Sequence, residues 1–311
     1  MSEPNYLDSF ILGSTAITAV GLGSYFAGVD DEETPKEVLS EKRIKSYPYL
    51  SALVLVTMNL LIEYLGPTTV NFIFAFYFAL AGTNSIWFLL RCFIKHKSMR
   101  THKLFMYPQS HTIMTEFVLP PHPVPFYLGD VVLYSIALSI NIYYYMTRAN
   151  WANNTIAFSI AFFAILSIRI EKFTAAAPFL WSLLIYDAFF VYSTDVMTNV
   201  AVNIQGPIKF QISTPNGYSV LGLGDLVIPG MFLSVCSRFD SFLKKLLHKR
   251  TPYWIIGMCG YAASMVLTDV VCYITKHGQP ALLFITPAVT APTVLMAFIR
   301  REHYVFLSFS G

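Results

Sequence analysis

The feature that most constrains this chain is a series of nine apolar stretches, each long enough to form a helix across a bilayer. A transmembrane helix needs roughly 20 predominantly apolar residues. The stretches cover residues 9–27, 48–64, 69–90, 126–146, 151–168, 177–200, 218–237, 253–275 and 280–299. Because lipid offers the backbone no hydrogen bonds, only helices or a closed barrel can cross it. The pattern predicts an all-α polytopic membrane protein with nine transmembrane helices.

The composition excludes a water-soluble globular domain. Apolar residues make up 55% of the chain and charged residues 13%, whereas a soluble domain carries about 25% charged residues. The mean hydropathy is +0.54. A net charge of +3 gives no reason to expect nucleic acid as a partner. The cysteines form no CxxC pair, so we interpret them as buried apolar side chains and predict neither a metal nor a cofactor.

The distribution of Lys and Arg predicts the orientation in the membrane, because cytosolic loops carry the excess of these residues. Of the 21 Lys and Arg residues, 18 lie after the first, third, fifth, seventh and ninth stretches. Only Arg148, Lys209 and Lys276 lie on the opposite side. We therefore expect a lumenal N-terminus and a cytosolic C-terminus. If one span had been counted wrongly, every later loop would be assigned to the other side of the membrane and the charge asymmetry would disappear. The same bias therefore supports the count of nine.

Two acidic residues lie well inside predicted spans. A carboxylate near the bilayer centre costs about 2.5–3.5 kcal/mol, so acids at that depth are candidates for function. Asp187 lies about ten residues into the sixth span, and Asp225 about seven residues into the seventh. These spans are consecutive and antiparallel, and a helix rises ~1.5 Å per residue, so the two side chains can reach similar depths. We predict that the two carboxyl groups face each other and share one proton.

Four other acidic residues receive less specific interpretations. Glu63, Asp130 and Asp269 lie near the ends of their spans, where we expect them to reach water. Asp195 follows Asp187 toward the lumenal end. We expect it to face water or to belong to a polar pathway, and we disfavour a catalytic role for it.

A proton-sharing pair of aspartates is the chemistry of an aspartic protease. One carboxylate takes a proton from water, which attacks the peptide carbonyl, while the protonated partner donates to the carbonyl oxygen. Such a pair titrates as a unit, so the proton is not assigned to either residue. Gly222 and Gly224 beside Asp225 would allow another helix or a substrate backbone to approach closely.

At these residues the chain resembles signal peptide peptidase and the presenilin-type GxGD aspartyl proteases. Three motifs match in order on spans six, seven and nine: Tyr186-Asp187, Gly222-Leu223-Gly224-Asp225 and Pro280-Ala281-Leu282. Further similarity lies at residues 151–154, 206–209, 228–230 and 238–240.

The resemblance implies the nine-helix presenilin fold in one membrane domain, 1–311, with spans one to four in 1–150 and the catalytic core in 151–311. It implies that Asp187 and Asp225 are catalytic. Substrate contacts are expected from Tyr186, Gly222, Leu223, Gly224, Pro280, Ala281 and Leu282. The expected location is the endoplasmic reticulum membrane. The expected partners are the lipid bilayer and transmembrane peptide or signal peptide substrates, including type II membrane proteins, and a homo-oligomer is left open.

Other functions stay open at this point. A proton-coupled multi-pass transporter also uses buried acids, but it predicts polar residues spread over many spans. A non-catalytic client-binding membrane protein would tolerate Asp→Asn at both positions. A prepilin-peptidase-like enzyme shares GxGD in a different arrangement.

The loop at residues 201–217 carries a hypothesis about substrate handling. Residues 208–212 alternate like a strand, so they could pair with an unwound substrate by strand addition. An ordinary polar loop is the alternative. A glycosylation sequon begins at Asn153 on the predicted lumenal side, and we expect it to be unused because it lies so close to the membrane.

Overall fold

Each of the nine apolar stretches contains a long helix. The computed structural model describes residues 6–28, 37–39, 41–94, 103–108, 123–194, 196–214, 217–248, 251–275 and 279–310. The long helices are α1 (Tyr6–Gly28), α2 (Glu41–Leu65), α3 (Pro67–Phe93), α4 (Leu128–Thr147), α5 (Asn150–Ser167), α6 (Phe173–Ser193), α8 (Gly224–Leu247), α9 (Tyr253–Thr275) and α10 (Leu282–Ile299). Asp195 lies outside the described residues.

Two short helices and six short strands complete the described elements. The short helices are α7 (Val196–Asn203) and α11 (His303–Ser308). The strands are β1 (Glu37–Val38), β2 (Lys103–Tyr107), β3 (Val124–Tyr127), β4 (Ile168–Arg169), β5 (Lys209–Thr214) and β6 (Gly217–Gly222). They form three two-stranded sheets: β1 with β4, β2 with β3, and β5 with β6.

Seven of the described helices are long and apolar enough to cross a membrane: α1, α2, α3, α6, α8, α9 and α10. The other two long helices contain polar side chains within their apolar sequence: α5 carries three asparagines near its start, and α4 carries Asp130 and Asn141. The prediction of a predominantly helical polytopic protein is confirmed. The count of nine spans and the division of the chain at residue 150 stay predictions.

The core consists of two large apolar clusters. One cluster joins α1, α6, α8, α9 and α10, with the hairpin of β5 and β6 packed against it through Phe210 and Leu221. The other joins α3, α4 and α5 around Trp87 and Phe163. Leu223 contacts both clusters. The segment that leads into α8 is therefore held from two sides.

The seventh predicted span is wrong at its beginning. It was expected to be helical from residue 218, but residues 217–222 form β6, and α8 begins at Gly224. β6 pairs antiparallel with β5 from Lys209–Gly222 to Thr214–Gly217. This pairing satisfies backbone groups that would otherwise need a helix. The strand predicted from the alternation at 208–212 is present as β5.

The expectation that Asp130 reaches water is also wrong. Asp130 is buried at the start of α4, where its Oδ2 lies 3.2 Å from Nη1 of Arg91. Its carboxylate also accepts hydrogen bonds from Trp87 Nε1 at 3.2 Å and from the Tyr127 amide at 2.8 Å. The arginine at the end of α3 reaches across and pairs with the acid. Glu63 and Asp269, by contrast, are exposed.

Helices α9 and α10 touch backbone to backbone at Gly260. A Cβ atom placed on Gly260 would lie 2.0 Å from the carbonyl oxygen of Ala288. A backbone oxygen cannot rotate aside as a flexible side chain could. Any side chain at position 260 must therefore push the two helices apart.

We predict that Gly260→Ala lowers the stability of the purified protein in detergent. Overpacking in a tight interior typically costs 1–3 kcal/mol, and the backbone contact here points to about the upper end of that range. Thermal unfolding followed by circular dichroism measures the effect. Gly13→Ala is the matched control, since nothing lies within 4 Å of its Cβ position. Equal midpoints for the two variants would contradict the assigned contact.

Candidate active site

Asp187 lies on the inward face of α6. The buried side chains of this helix include Leu183, Asp187 and Phe190, which recur at helical spacing and form one stripe toward the core. The Asp187 side chain is buried, and its Oδ2 atom has no hydrogen-bond partner in the described part of the chain. The sequence thus folds a carboxyl group into an apolar stripe and leaves one oxygen available.

The beginning of α10 is directed at this carboxyl group. Ala281 is the N-cap, Leu282 is the first helical residue, and the Leu282 amide lies close to the Asp187 carboxyl group. The first amides of a helix have no partner within the helix, and the helix dipole favours a negative charge at that end. The structure thus brings the Pro280-Ala281-Leu282 motif to Asp187. Tyr192, at the end of α6, donates a hydrogen bond at 2.6 Å to Oε1 of Gln279, the residue that precedes Pro280.

Asp225 lies in the first turn of α8. The sequence had placed it about seven residues inside a helix, and that depth is corrected here because the preceding residues form β6. The amide of Leu223 donates to the carbonyl of Ile208 at 3.1 Å, which closes the hairpin just before α8. A Cβ atom on Gly222 would lie 3.7 Å from Asp225 Oδ2, so the carboxyl group lies beside Gly222.

The structure brings the two acids together. Asp225 and Asp187 are close enough for their charges to interact, and the helices that carry them, α6 and α8, are in contact. Among the described residues, no group of three His, Cys, Asp or Glu side chains could hold a metal ion. The arrangement can hold one proton between two carboxyl groups and bind a water molecule next to them.

The other predicted substrate contacts occupy different positions. Tyr186 is half-buried beside Asp187, and its hydroxyl lies 3.5 Å from the carbonyl of Ser51 on α2. Gly224 is exposed, and the nearest atom to its Cβ position is Ile228 Cδ1 at 3.8 Å. Packing within the chain therefore does not require glycine at position 224, and open space lies next to Asp225.

Two buried hydroxyl groups near these motifs were missed from the sequence. The fully buried hydroxyl of Tyr261 on α9 donates to the backbone carbonyl of Asp225 at 3.2 Å. The buried hydroxyl of Thr286, one turn after Leu282, has no partner among the described residues. The chain has 19 tyrosines, and nothing in its local sequence distinguishes Tyr261.

The bond from Tyr261 replaces one that α8 lacks. In a regular helix the carbonyl of Asp225 would accept from the amide of residue 229. That residue is Pro229, which has no amide hydrogen and whose ring crowds the carbonyl four residues earlier. Tyr261 therefore supplies the donor for a buried carbonyl at the residue that carries the second carboxyl group.

Comparison with known proteins identifies the family of this chain. The family model described as signal peptide peptidase matches residues 31–311. The chain belongs to the signal peptide peptidase family. It is an intramembrane protease of the aspartic type and a multi-pass membrane protein.

Several relatives show how far the similarity extends. A probable intramembrane protease of Schizosaccharomyces pombe is 26% identical over 310 residues, which cover 97% of this chain and 94% of that one. Human signal peptide peptidase is 26% identical over 280 residues, with 86% and 72% covered. Intramembrane protease 2 of Caenorhabditis elegans is 33% identical over 177 residues, or 51% and 38% of the two chains.

We predict that Tyr261→Phe lowers the cleavage rate of the protease about five- to tenfold, because one buried hydrogen bond is worth about 1 kcal/mol. Pro229→Ala restores the helical amide donor to the Asp225 carbonyl. It should therefore abolish most of the effect of Tyr261→Phe in the double variant. Rates measured for the wild type, both single variants and the double variant give the coupling. Additive effects would show that the Tyr261 hydroxyl does not act through this carbonyl.

Proposed function

We propose that Asp187 and Asp225 are the catalytic pair and hydrolyse peptide bonds within transmembrane segments. The observation that carries the proposal is the meeting of two interacting carboxyl groups from α6 and α8 next to the amino end of α10. Each carboxyl group placed within an apolar span destabilises the protein when it is ionised, so two of them at one place indicate a function.

The proposed chemistry uses both acids in turn. The ionised carboxyl group accepts a proton from a bound water, whose oxygen forms a bond to the peptide carbonyl carbon. The protonated partner donates its proton to the carbonyl oxygen, which gives a tetrahedral diol. The first carboxyl group then passes the proton it took from water to the leaving nitrogen as the carbon–nitrogen bond breaks, and a diol hydroxyl returns a proton to the partner carboxylate. The amino end of α10 near Asp187 favours the ionised form of that carboxyl group whenever Asp187 carries the negative charge. The pair titrates as a unit, so the resting proton belongs to both residues.

A helical substrate must unwind before water can reach a peptide bond, and a strand edge can hold the unwound segment. The earlier hypothesis assigned this role to residues 208–212, but both edges of β5 are occupied. One edge pairs with β6, and on the other edge Asn154 binds both the amide and the carbonyl of Gln211 at 2.9 Å.

The outer edge of β6 is the better candidate. Gln211 lies opposite Val220, and its own backbone groups point away from β6. In an antiparallel ladder the backbone groups of Val220 then also point away from the hairpin. Among the described residues no further strand pairs with that edge. β6 leads directly into Gly222-Leu223-Gly224-Asp225, so a segment bound there would lie next to the two acids.

The substrate class and location follow from the family and the charge distribution. Relatives in human and mouse carry the name signal peptide peptidase. We infer that the substrates are signal peptide remnants and type II membrane proteins, and that the protease resides in the endoplasmic reticulum membrane. The loop charges support a lumenal N-terminus and a cytosolic C-terminus. The homo-oligomer that the sequence left open is tested by mass determination in detergent.

Cleavage of a signal-peptide-derived type II segment by purified protein in detergent tests the catalytic assignment. We expect Asp187→Asn and Asp225→Asn each to lower the rate at least ~10²-fold, the scale of lost acid–base catalysis. Asp269→Asn is the matched control, since Asp269 is an exposed acid on α9. Undiminished product from either active-site variant would remove the assignment. Wild-type protein that binds the segment without cleaving it would favour the client-binding alternative.

The orientation yields a separate prediction in microsomes. A glycosylation sequon added before Met1 should be modified, and one added after Gly311 should not. The internal sequon does not interfere, because the Asn153 amide nitrogen is buried and donates to the carbonyl of Lys209 at 2.8 Å. The measurement is a glycosidase-sensitive mobility shift. Modification of the C-terminal sequon alone would reverse the proposed orientation.

A further inference from the structure

Three asparagines at the beginning of α5 face the hairpin of β5 and β6. Asn154 Nδ2 donates to the Gln211 carbonyl at 2.9 Å, and Asn154 Oδ1 accepts from the Gln211 amide at 2.9 Å. Asn153 Nδ2 donates to the Lys209 carbonyl at 2.8 Å. Asn150 Oδ1 accepts from Gln211 Nε2 at 3.0 Å. We call Asn150, Asn153 and Asn154 the asparagine clamp.

The clamp imitates a neighbouring strand. In a sheet, an adjacent strand would bond the outward-pointing backbone groups of every second residue of β5. Lys209 and Gln211 are two residues apart on β5, and both use their outward backbone groups to bind the clamp. Helix α5 thus occupies the place of a third strand through side chains alone. The hairpin can accept a further strand only at β6.

We propose that the asparagine clamp is a positioning device that sets the register of the substrate, and thereby which peptide bond is cleaved. The proposal rests on the proposed function, because it requires a substrate bound along β6 near Asp187 and Asp225. The clamp itself lies on the far side of the hairpin from that edge. It acts on the substrate only by fixing where the hairpin lies.

The connections of the hairpin explain why its position matters. β6 is continuous with Asp225 through Leu223, whose amide binds Ile208, so the hairpin and Asp225 move together. Asp187 lies on a different helix, α6, near the amino end of α10. A bond is cleaved only when it lies next to both acids. The hairpin must therefore be fixed relative to a third element.

Helix α5 provides that fixed element. A Cβ atom on Gly230 of α8 would lie 2.4 Å from Ile165 Cδ1, so α5 and α8 are in close contact near the end of α5. At the beginning of α5, the clamp binds β5. A strand rises about 3.4 Å per residue, and a slip of one residue turns its side chains to the opposite face. A loosened hairpin would therefore present a neighbouring peptide bond to the acids.

A purely structural role makes a different prediction from a positioning role. A structural asparagine would change the stability of the protease and the amount of product, but it would leave the cleaved bond unchanged. A positioning asparagine changes the distribution of cleaved bonds and raises KM more than it lowers kcat. The product distribution, read by mass spectrometry of both fragments, separates the two roles.

The decisive variant is Asn154→Ala, tested on full-length purified protein with the same type II segment. Asn154→Ala removes two hydrogen bonds to the Gln211 backbone. We expect products from neighbouring bonds to increase at least about fivefold relative to the main product, the ratio that the loss of one such bond would produce. Asn141→Ala is the matched control, because the buried Asn141 amide donates to the Ala79 carbonyl at 2.8 Å and to Thr83 Oγ1 at 3.0 Å, away from the hairpin.

Asn154→Asp provides a second variant of equal size. It retains the acceptor for the Gln211 amide and loses the donor to the Gln211 carbonyl, so we expect a smaller change in the same direction. If Asn154→Ala does not fold, the product distribution of Asn154→Asp decides. A distribution equal to that of wild type and Asn141→Ala overturns the proposal. Failure of the proposed function appears differently, as product that persists in Asp225→Asn or is absent from wild type.

Discussion

The energetic cost of holding two carboxyl groups inside an apolar protein is the constraint around which this structure is arranged. Four helices meet that cost at one place: α6 and α8 carry the acids, α10 directs its first amide at Asp187, and α9 donates a hydroxyl to the backbone of Asp225. Each contribution satisfies a group that would otherwise be buried without a partner. The close approach of α9 and α10 at Gly260 holds two of these helices together.

The hairpin before α8 meets the same requirement in a different way. Non-helical backbone is tolerated at membrane depth only where protein satisfies its polar groups. β5 pairs with β6 on one edge, and on the other edge asparagine side chains bind backbone groups of Lys209 and Gln211. β6 meets this condition on one edge only. The remaining edge, next to two acids, is where a substrate backbone would complete the sheet, so satisfying the backbone and binding substrate become the same physical problem.

The site could be predicted in part because its chemistry is local in sequence. An aspartate in an apolar stretch is costly wherever it occurs, so Asp187 and Asp225 were identifiable without any knowledge of their neighbours. The approximate positions of the helices followed from apolar length alone. The start of α8 did not, because residues 218–222 are as compatible with a helix as with a strand. Only the pairing with β5, supplied from elsewhere in the chain, decides between them.

The sequence by itself determined the membrane-spanning character, the positions of the long helices and the two acids, because each depends on the cost of moving particular residues from water into an apolar medium. The tertiary structure alone decided that Asp130 pairs with Arg91, that Tyr261 replaces the donor missing at Pro229, and that asparagines of α5 hold β5. These are hydrogen bonds and ion pairs between distant residues. They depend on distance and direction in space, and spacing along the chain specifies neither.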